Sequence, residues 1–492
     1  MDQPYTDRHE SQIYAYLRSD FIPTDGEMAQ ILSDVSFLTK ELESTNCNER
    51  VKKQKALNIR RSILAPIRRL PVEILLEIFS LLPPERPPSN RHQFYALPSR
   101  PSNTRDMPWV LSHVSAFWHA TSLASPPLWT HIYIASKYAK MEQFLIQTTL
   151  ARSQDCPLDL CICMDLEDPE CEEIVIKSLT LAAPRCVSLR LDIPAPTLMA
   201  LSLSCSFPRL QHLELHVDIH PADLTTSVDV FMKSVQLHSV RFMEVRVPEQ
   251  IQLPLTELHV LSQVFVDSYD QLAVILKEAK GLVSLDAWPS GAYASSLVGS
   301  AAEKITHSNL RCLDTGYSAL EHLSLPALDH LTLDEDDMQH ETEEKMQVLP
   351  DFLQRSKCHL RRLRLMHYGR VAKILPLILG SPSFITLTRL DIYVESVEVY
   401  ALLGDIRLMP QLRHLSICDG FENENETSFF GVCAEPFHAI IEARRNQLRG
   451  LTLTSLEVER MTPELLEHIR EIAEDGIEVE FIGRGLDQLY PP

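Results

Sequence analysis

The feature that most constrains this chain is an apolar-x-apolar pattern that recurs at nearly even spacing from Trp129 to the C-terminus. Alternation of apolar and polar residues is typical of a β-strand with one buried face. In sequence numbers, the step is 24 from Leu189 to Leu213, 27 from Leu363 to Leu390 and 25 from Leu390 to Leu415. The first apolar residues of the predicted strands are Ile132, Leu158, Leu189, Leu213, Val240, Leu258, Leu285, Leu313, Leu323, Leu331, Leu363, Leu390, Leu415, Leu451 and Val479. Such spacing predicts an array of similar units.

The segments between these strands are predicted to be helices. They cover residues 141–151, 174–183, 228–235, 269–279, 344–355, 397–406, 437–445 and 463–472. One strand and one helix cannot bury their apolar faces alone, so neighbouring units must stack. Residues 131–492 are therefore predicted to form an α/β solenoid, a curved parallel sheet with helices outside.

The repeat resembles the leucine-rich repeat, whose period is about 20–29 residues. Several strands carry the fuller L-x-x-L-x-L form. The register stays open around Leu323 and Leu331 and between Leu415 and Leu451, where the spacing is irregular. An α/β barrel competes, but the strand candidates are too many and the connecting loops hold too few glycines.

The N-terminal segment, residues 1–66, is predicted to be helical. Met28, Ile31, Val35, Leu38 and Leu42 are spaced alternately three and four residues apart, which predicts a helix with one narrow apolar seam. We expect that helix to pack on its own domain or in a short helical hairpin; the second interpretation is that it dimerises. Residues 50–69 hold eight basic and no acidic residues. A solvated helix face explains them better than a nuclear-import or nucleic-acid patch, because aromatic residues are missing.

A second helical segment is predicted at residues 67–130. In the block Leu70–Pro83, Pro71 suits a first helical turn, and apolar residues then form one broad face until Pro83 and Pro84 end the helix. Residues 83–108 contain seven prolines and are predicted to be a loop insertion. A second apolar block follows, with Trp118 in its middle and Pro-Leu-Trp at 127–129.

These two blocks, which reach from Leu70 to Trp129 with the insertion between them, resemble the F-box motif. The resemblance implies that the segment binds the small Skp-type adaptor of a cullin–RING ubiquitin ligase and that the repeats present a substrate. It implies that Trp118 and Trp129 pack the motif's core or its junction. The insertion departs from the family pattern and affects the start of the second helix. The residues implied in adaptor binding are Leu70, Pro71, Ile74, Leu75, Ile78 and Trp118.

Composition and motifs exclude several functions. The net charge of −21 disfavours general binding to nucleic acid or to an anionic membrane. No phosphate-binding, dinucleotide, nucleophile-elbow or zincin motif occurs, so we expect no enzyme and no cofactor. The thiols at Cys156, Cys161, Cys163 and Cys171 lack structural zinc spacing. The acidic run at 334–344 lacks the calcium-loop pattern, so no metal site is expected.

The x residues of L-x-x-L-x-L are expected on the concave sheet face. There, Arg364, Met366, Arg389 and Tyr393 mix long, basic and aromatic side chains and are the predicted substrate-binding residues. Arg364 and Arg389 are 25 residues apart, close to one repeat, so we predict that they lie side by side on neighbouring strands as a short basic ladder. The alternative is that Asp391 and other carboxylates neutralise them.

We therefore expect a non-catalytic adaptor of an SCF-type ubiquitin ligase that binds a Skp-type adaptor and an unknown protein substrate. No signal peptide and no membrane span are visible, and the odd number of cysteines suggests reduced thiols, so cytoplasm or nucleus is expected. The alternative is a leucine-rich-repeat scaffold or inhibitor in which the segment 67–130 only caps the solenoid.

Overall fold

The protein is described here from a computed structural model. The described residues are 13, 15–16, 23–44, 47–82, 107–164, 169–218, 227–243, 250–266, 268–289, 304–334, 347–366, 371–394, 397–419, 434–457 and 463–484. The chain divides into two compact units, residues 1–193 with 204–209, and residues 194–203 with 210–492. The domain boundaries predicted after residues 66 and 130 stay predictions.

The first unit begins with helices. Helix α1 (Asp25–Ser44) and helix α2 (Cys47–Leu64) pack against each other, and Ile31 is buried with Ile63 in a small cluster between them. Arg60 forms an ion pair with Asp34 at 3.0 Å. The heptad-like stripe therefore lies in a helical hairpin, the first of its two interpretations.

Three further helices follow in the same unit. They are α3 (Val72–Ser80), α4 (Met107–Ser112) and α5 (Ala116–Leu123), and a 3₁₀ turn at Pro126–Trp129 closes the segment. Helix α5 starts at Ser115, whose hydroxyl accepts the backbone N–H of Trp118 at 3.1 Å. Of the predicted insertion 83–108, residues 83–106 lie outside the described residues.

The first unit ends in three strands and two helices. These are β1 (His131–Ala135), α6 (Ser136–Arg152), β2 (Leu158–Cys163), α7 (Pro169–Ala182) and β3 (Cys186–Pro194). β1 pairs with β2 and β2 with β3, both in parallel. Because parallel strands need a crossover, α6 and α7 supply the connections and pack against each other.

The second unit repeats this arrangement. Its elements are α8 (Ala195–Ser204), β4 (His212–Asp218), β5 (Ser239–Met243), β6 (Val260–Val266), α9 (Tyr269–Glu278), β7 (Ser284–Pro289), β8 (Ile305–Thr306), β9 (Cys312–Thr315), β10 (Leu323–Ser324), β11 (His330–Asp334), α10 (Val348–Ser356), β12 (Arg362–Met366), α11 (Val371–Ile378), β13 (Arg389–Val394), α12 (Val397–Gly404), β14 (His414–Asp419), α13 (Ala434–Arg444), β15 (Gly450–Glu457), α14 (Pro463–Glu474) and β16 (Glu478–Arg484).

The strands of the second unit lie side by side in chain order. Within the described residues the order is β4, β5, β6, β7, β9, β11, β12, β13, β14, β15 and β16, and all neighbouring strands in this order pair in parallel. This is an open order, unlike that of a closed barrel. The chain is thus an α/β protein with a long parallel sheet and helices, an arrangement that fits a repeat solenoid.

The leucines of the repeat form the core. Leu213, Leu363 and Leu390 are buried, as predicted, and Leu363 lies in register with Leu390 and Leu331. The preceding leucines of the L-x-x-L-x-L pattern, such as Leu360 and Leu412, are buried too. Stacking of identical positions therefore produces one continuous apolar layer within the unit.

Three expectations differ from the structure. Leu323 lies in a separate two-stranded sheet with Ile305, so β9 pairs directly with β11 and the compressed spacing disappears. Residues 228–235 form turns and an isolated bridge from Val228 to Ile251 in place of a helix. β-branched Val228, Val230 and Val235 lower helix propensity in so short a segment. Helices α8 and α11 were not predicted.

Arginines at the ends of helices tie neighbouring repeats together. Arg355 donates to the carbonyls of Leu323 and Leu320 at 2.8 and 2.7 Å. Arg444, fully buried at 0 % exposure, donates to the carbonyls of Leu403, Met409 (3.0 Å) and Asp405 (2.8 Å). The carbonyls of Met409 and Asp405 also accept the backbone N–H groups of Leu412 and Leu408, so Arg444 adds a second donor to each. Among the described helices, none is long and apolar enough to span a membrane.

Candidate functional site

Helix α3 carries apolar residues on two faces. Leu75 and Phe79 point inward and are buried with Leu111, and Phe79 contacts the ring of Trp118 edge-on at 4.9 Å between centroids. The other face holds Ile74, which is 48 % exposed, and Leu81 just after the helix, which is 75 % exposed. Within the described residues, one apolar face is thus used for the helical core and the other is accessible.

The residues predicted to bind the ligase adaptor divide between these two faces. Pro71 and Ile74 are exposed, and Leu70 and Ile78 are partly buried. Leu75 is fully buried in the helical core, so it supports the helix and offers no surface in this conformation. Trp118 is partly buried against Phe79, the packing that the F-box resemblance implies for it. Adaptor binding by these residues stays a prediction.

The Pro-Leu-Trp end of this segment is held by an aromatic and cationic stack. The ring of Trp129 is buried, and its Nε1 donates to the Ser122 carbonyl at 2.8 Å. Trp109 contacts Trp129 edge-on at 5.2 Å, and the guanidinium of Arg152 lies 4.6 Å from one ring and 4.4 Å from the other. Burial lowers the pKa of Arg152. The stack joins the segment to the end of α6.

The exposed sheet face around β12 and β13 holds the residues predicted to bind a substrate. Arg364 is exposed, whereas Arg389 is partly buried. Tyr393 is only 4 % exposed, so its ring offers little surface to a partner. Met366 ends β12, and its side chain lies outside the described residues. Substrate binding by these four residues stays a prediction.

The predicted ladder of Arg364 and Arg389 is wrong in register. Arg389 pairs with Arg362, and Arg364 pairs with Asp391. The separation of Arg364 and Arg389 falls two positions short of the true repeat between β12 and β13, and a shift of two keeps a side chain on the same face. The correct neighbour of Arg389 across the ladder is thus Arg362.

Asp391 neutralises this pair. Asp391 is 5 % exposed, and its carboxylate accepts hydrogen bonds from Arg362 at 3.1 and 3.2 Å and from Arg389 at 3.0 and 3.3 Å. A buried carboxylate needs such partners, because burial without them is strongly unfavourable. For Arg389, the structure therefore agrees with the alternative to a basic ladder, namely that Asp391 neutralises the arginine.

One group of possible metal ligands was not singled out by the sequence. Ligand atoms of Cys312, Asp329 and His330 lie within 4.8 Å of one another, because adjacent repeats bring them together. His330 is hydrogen-bonded to Asp329. Burial and Asp329 raise the pKa of Cys312, whereas Arg311 and Arg362 lower it. Those two nearby cations oppose a divalent ion, so the geometry favours a polar contact over a metal centre.

The cysteines of β2 and the acidic run 334–344 were expected to hold no metal ion. Cys161 and Cys163 lie on the same face of β2 and pack with Tyr133, and the Cys163 thiol donates to Asp192 at 3.4 Å. Of the acidic run 334–344, only Asp334 belongs to the described residues, as the last residue of β11.

Comparisons with known proteins complete the description. No family model matches the chain, and no curated protein matches it. Among solved structures, it is similar to a crystal structure of a protein from Bacteroides fragilis, with 12% sequence identity and a TM-score of 0.34. That similarity covers 63% of this chain and 82% of the other. A likeness at this level assigns no family and no function.

Proposed function

We propose that this protein is a non-catalytic substrate-recruiting adaptor of an SCF-type ubiquitin ligase. In this proposal the helical segment 67–130 acts as an F-box and binds a Skp-type adaptor. The repeats form a leucine-rich-repeat solenoid that binds a protein substrate. The protein acts in the cytoplasm or nucleus and uses no cofactor.

The observation that carries the proposal is the division of α3 into two apolar faces. The inward face is satisfied by Phe79, Leu75 and Leu111. The outward face leaves Ile74 exposed, and Pro71 before the helix is exposed too; both are among the positions that match the F-box motif. Leu81, just after the helix, adds a further exposed apolar side chain. An exposed apolar face on a short helix is a feature of protein interaction sites.

The architecture of the second unit supports the recruiting role. Its repeat leucines are buried on one face of the sheet, so the strands present polar side chains on their other face. Repeat sheets of this kind offer extended binding surfaces and need no catalytic residues. Motifs for phosphate binding, nucleophilic catalysis or zinc hydrolysis are missing from the sequence.

A second candidate is a repeat scaffold or inhibitor whose helical segment only caps the array. The stack of Trp109, Trp129 and Arg152 favours it, because this stack fastens the segment to α6. A terminal repeat needs such a cap. Capping alone uses the buried face of the segment and leaves no role for the exposed residue Ile74.

Co-purification of the full chain with a Skp-type adaptor tests the proposal. We expect Leu70→Asp combined with Ile74→Asp to abolish capture, because a desolvated carboxylate in an apolar interface is strongly unfavourable. Ile74→Asp alone should weaken capture with unchanged thermal unfolding, since Ile74 is half exposed.

Met141→Asp is the matched control. It places the same charge on a residue of the same unit that is 77 % exposed, on α6. Its adaptor capture should equal that of the wild type. Capture of the folded double variant at the wild-type level would refute the ligase role and leave the capping candidate.

A further inference from the structure

The residues immediately before the strands of the second unit form a row along one sheet edge. From β11 to β15 they are Asp329, Arg361, Thr388, Arg413 and Arg449. Three of the four positions from β12 to β15 are arginines, and all three side chains are exposed. We name Arg361, Arg413 and Arg449 the arginine edge.

The backbone holds this row in register. From Asp329 to Arg413, each carbonyl of the row accepts two N–H groups from the next repeat: that of Arg361 accepts those of Thr388 and Arg389 at 2.9 and 3.0 Å, and that of Thr388 accepts those of Arg413 and His414 at 2.8 and 2.9 Å. Arg413 accepts Arg449 and Gly450 at 2.7 and 3.1 Å. Neighbouring strands are about 4.8 Å apart, so the three arginines start within roughly 15 Å of one another.

Gly450 shows how closely the repeats approach at this edge. A Cβ atom at Gly450 would lie 2.5 Å from Nδ1 of His414, which is too close for any side chain. The glycine therefore lets the His414 ring lie across the start of β15. Gly450 lies directly after Arg449 and in register with His414, which directly follows Arg413, so this close approach adjoins the arginine edge.

The arginine edge differs from Arg362 and Arg389 in its charge balance. Those two are held by the buried Asp391. For Arg361, Arg413 and Arg449, the described residues supply no ion pair and no side-chain hydrogen bond. Carboxylates stand at the two ends of the row: Asp329, hydrogen-bonded to His330, and Glu478, which begins β16.

We propose that the arginine edge binds an acidic peptide, a run of Asp and Glu residues in a partner protein. The inference rests on the proposed function, because it names the substrate class of the repeat unit. Guanidinium groups bind carboxylates with two parallel hydrogen bonds. Three of them spread over four strands match several separate carboxylates better than one phosphate group.

The direct test is binding of a fluorescent peptide of about ten residues, alternating Glu and Ser, to the full chain. The same peptide with Gln in place of Glu is the probe control. We expect the Glu peptide to bind, the Gln peptide not to bind, and affinity to fall as salt rises, since exposed charges are screened.

The variant carries Arg361→Glu, Arg413→Glu and Arg449→Glu. Its matched control carries Lys233→Glu, Lys280→Glu and Lys373→Glu, exposed residues of the same unit away from the edge, with the same change in net charge. We expect the edge variant to lose affinity by roughly tenfold to a hundredfold, and the control to lose far less. Thermal unfolding shows that both remain folded, and an Arg→Gln version of the edge variant replaces the charge reversal if it does not.

Three results would overturn the inference. They are equal losses in the edge variant and the lysine control, tighter binding of a singly phosphorylated peptide than of the Glu peptide, and tighter binding of a single-stranded oligonucleotide. The adaptor capture described above separates this inference from the proposed function. Adaptor capture without peptide binding removes the inference alone; peptide binding lost only in the edge variant supports it, even where adaptor capture fails.

Discussion

Helix α3 and strand β12 use the same apolar residue types in opposite ways. In β12, Leu363 and Leu365 are buried and alternate with arginines that face away from the core. In α3, Leu75 and Phe79 are buried, but Ile74 is apolar and exposed on the outward face. From residue 362 to residue 365 the strand thus separates apolar from polar residues, and the helix does not.

This difference indicates two kinds of interaction surface. A strand period of two assigns every second residue to the core, so a stacked sheet keeps charged groups for its other face. A nine-residue helix with apolar residues around most of its circumference buries only one face in a small helical core. The helical segment is therefore suited to an apolar partner, and the repeat unit to a charged one.

The largest expected effect comes from removing a stacked leucine. We expect Leu213→Ala, Leu363→Ala and Leu390→Ala each to lower the free energy of unfolding by about 2–5 kcal/mol, because each leaves a cavity in the continuous layer. Hydrogen exchange should show loss of protection in neighbouring repeats before distant ones. Ile74→Ala, in the helical segment, should change stability far less. A comparable loss of stability in Ile74→Ala would contradict the difference between the helical segment and the repeat strands.

The next effect concerns the buried arginine. We expect Arg444→Ala to destabilise the second unit by about 2–4 kcal/mol, since three hydrogen bonds to backbone carbonyls are lost and the removal of a large buried side chain leaves a cavity. Denaturant unfolding measures this. The adjacent Arg445, which makes exposed ion pairs with Glu442 and Asp475, is the control. Its alanine variant should unfold like the wild type, and equal effects at both positions would show that burial is not the cause.

A smaller effect is expected at the charged face of β13. Asp391→Ala leaves Arg362 and Arg389 without their carboxylate, but both arginines are partly exposed and can be hydrated. We expect a loss of about 1–2 kcal/mol in the free energy of unfolding. Glu478→Ala, at the exposed first residue of β16, is the control and should have almost no effect. A loss like that of Leu363→Ala would mean that the polar face is as critical as the core.

The smallest effect is on thiol reactivity and leaves stability unchanged. Burial raises the pKa of Cys358 to about 11, so at pH 8 only about one molecule in a thousand carries its thiolate. Burial also raises the pKa of Cys186. We expect maleimide to modify the partly exposed Cys156 and Cys205 in the native protein and to reach Cys358 and Cys186 only after unfolding. Mass spectrometry of the labelled peptides checks this, and rapid native labelling of Cys358 would contradict it.

Most of the repeat architecture follows from the sequence alone. The apolar alternation identified most of the strands from Ile132 to Val479, because a half-buried strand must alternate whatever surrounds it. It missed β8, and it placed the start of β6 at Leu258, two residues before the strand begins. The leucines Leu213, Leu363 and Leu390 were correctly assigned to the core for the same reason. The boundaries of α9, α10 and α13 were close to the predicted ones, since amphipathic spacing is a local property.

Only the tertiary structure decided which side chains meet. Register between strands that are a whole repeat apart in sequence depends on the lengths of the intervening loops and helices, and it paired Arg389 with Arg362 in place of Arg364. It buried Tyr393 and Asp391 on a face predicted to be exposed, and it moved Leu323 into a separate sheet. The arginine edge emerged in the same way, because its members share no local motif and are brought together by stacking of successive repeats.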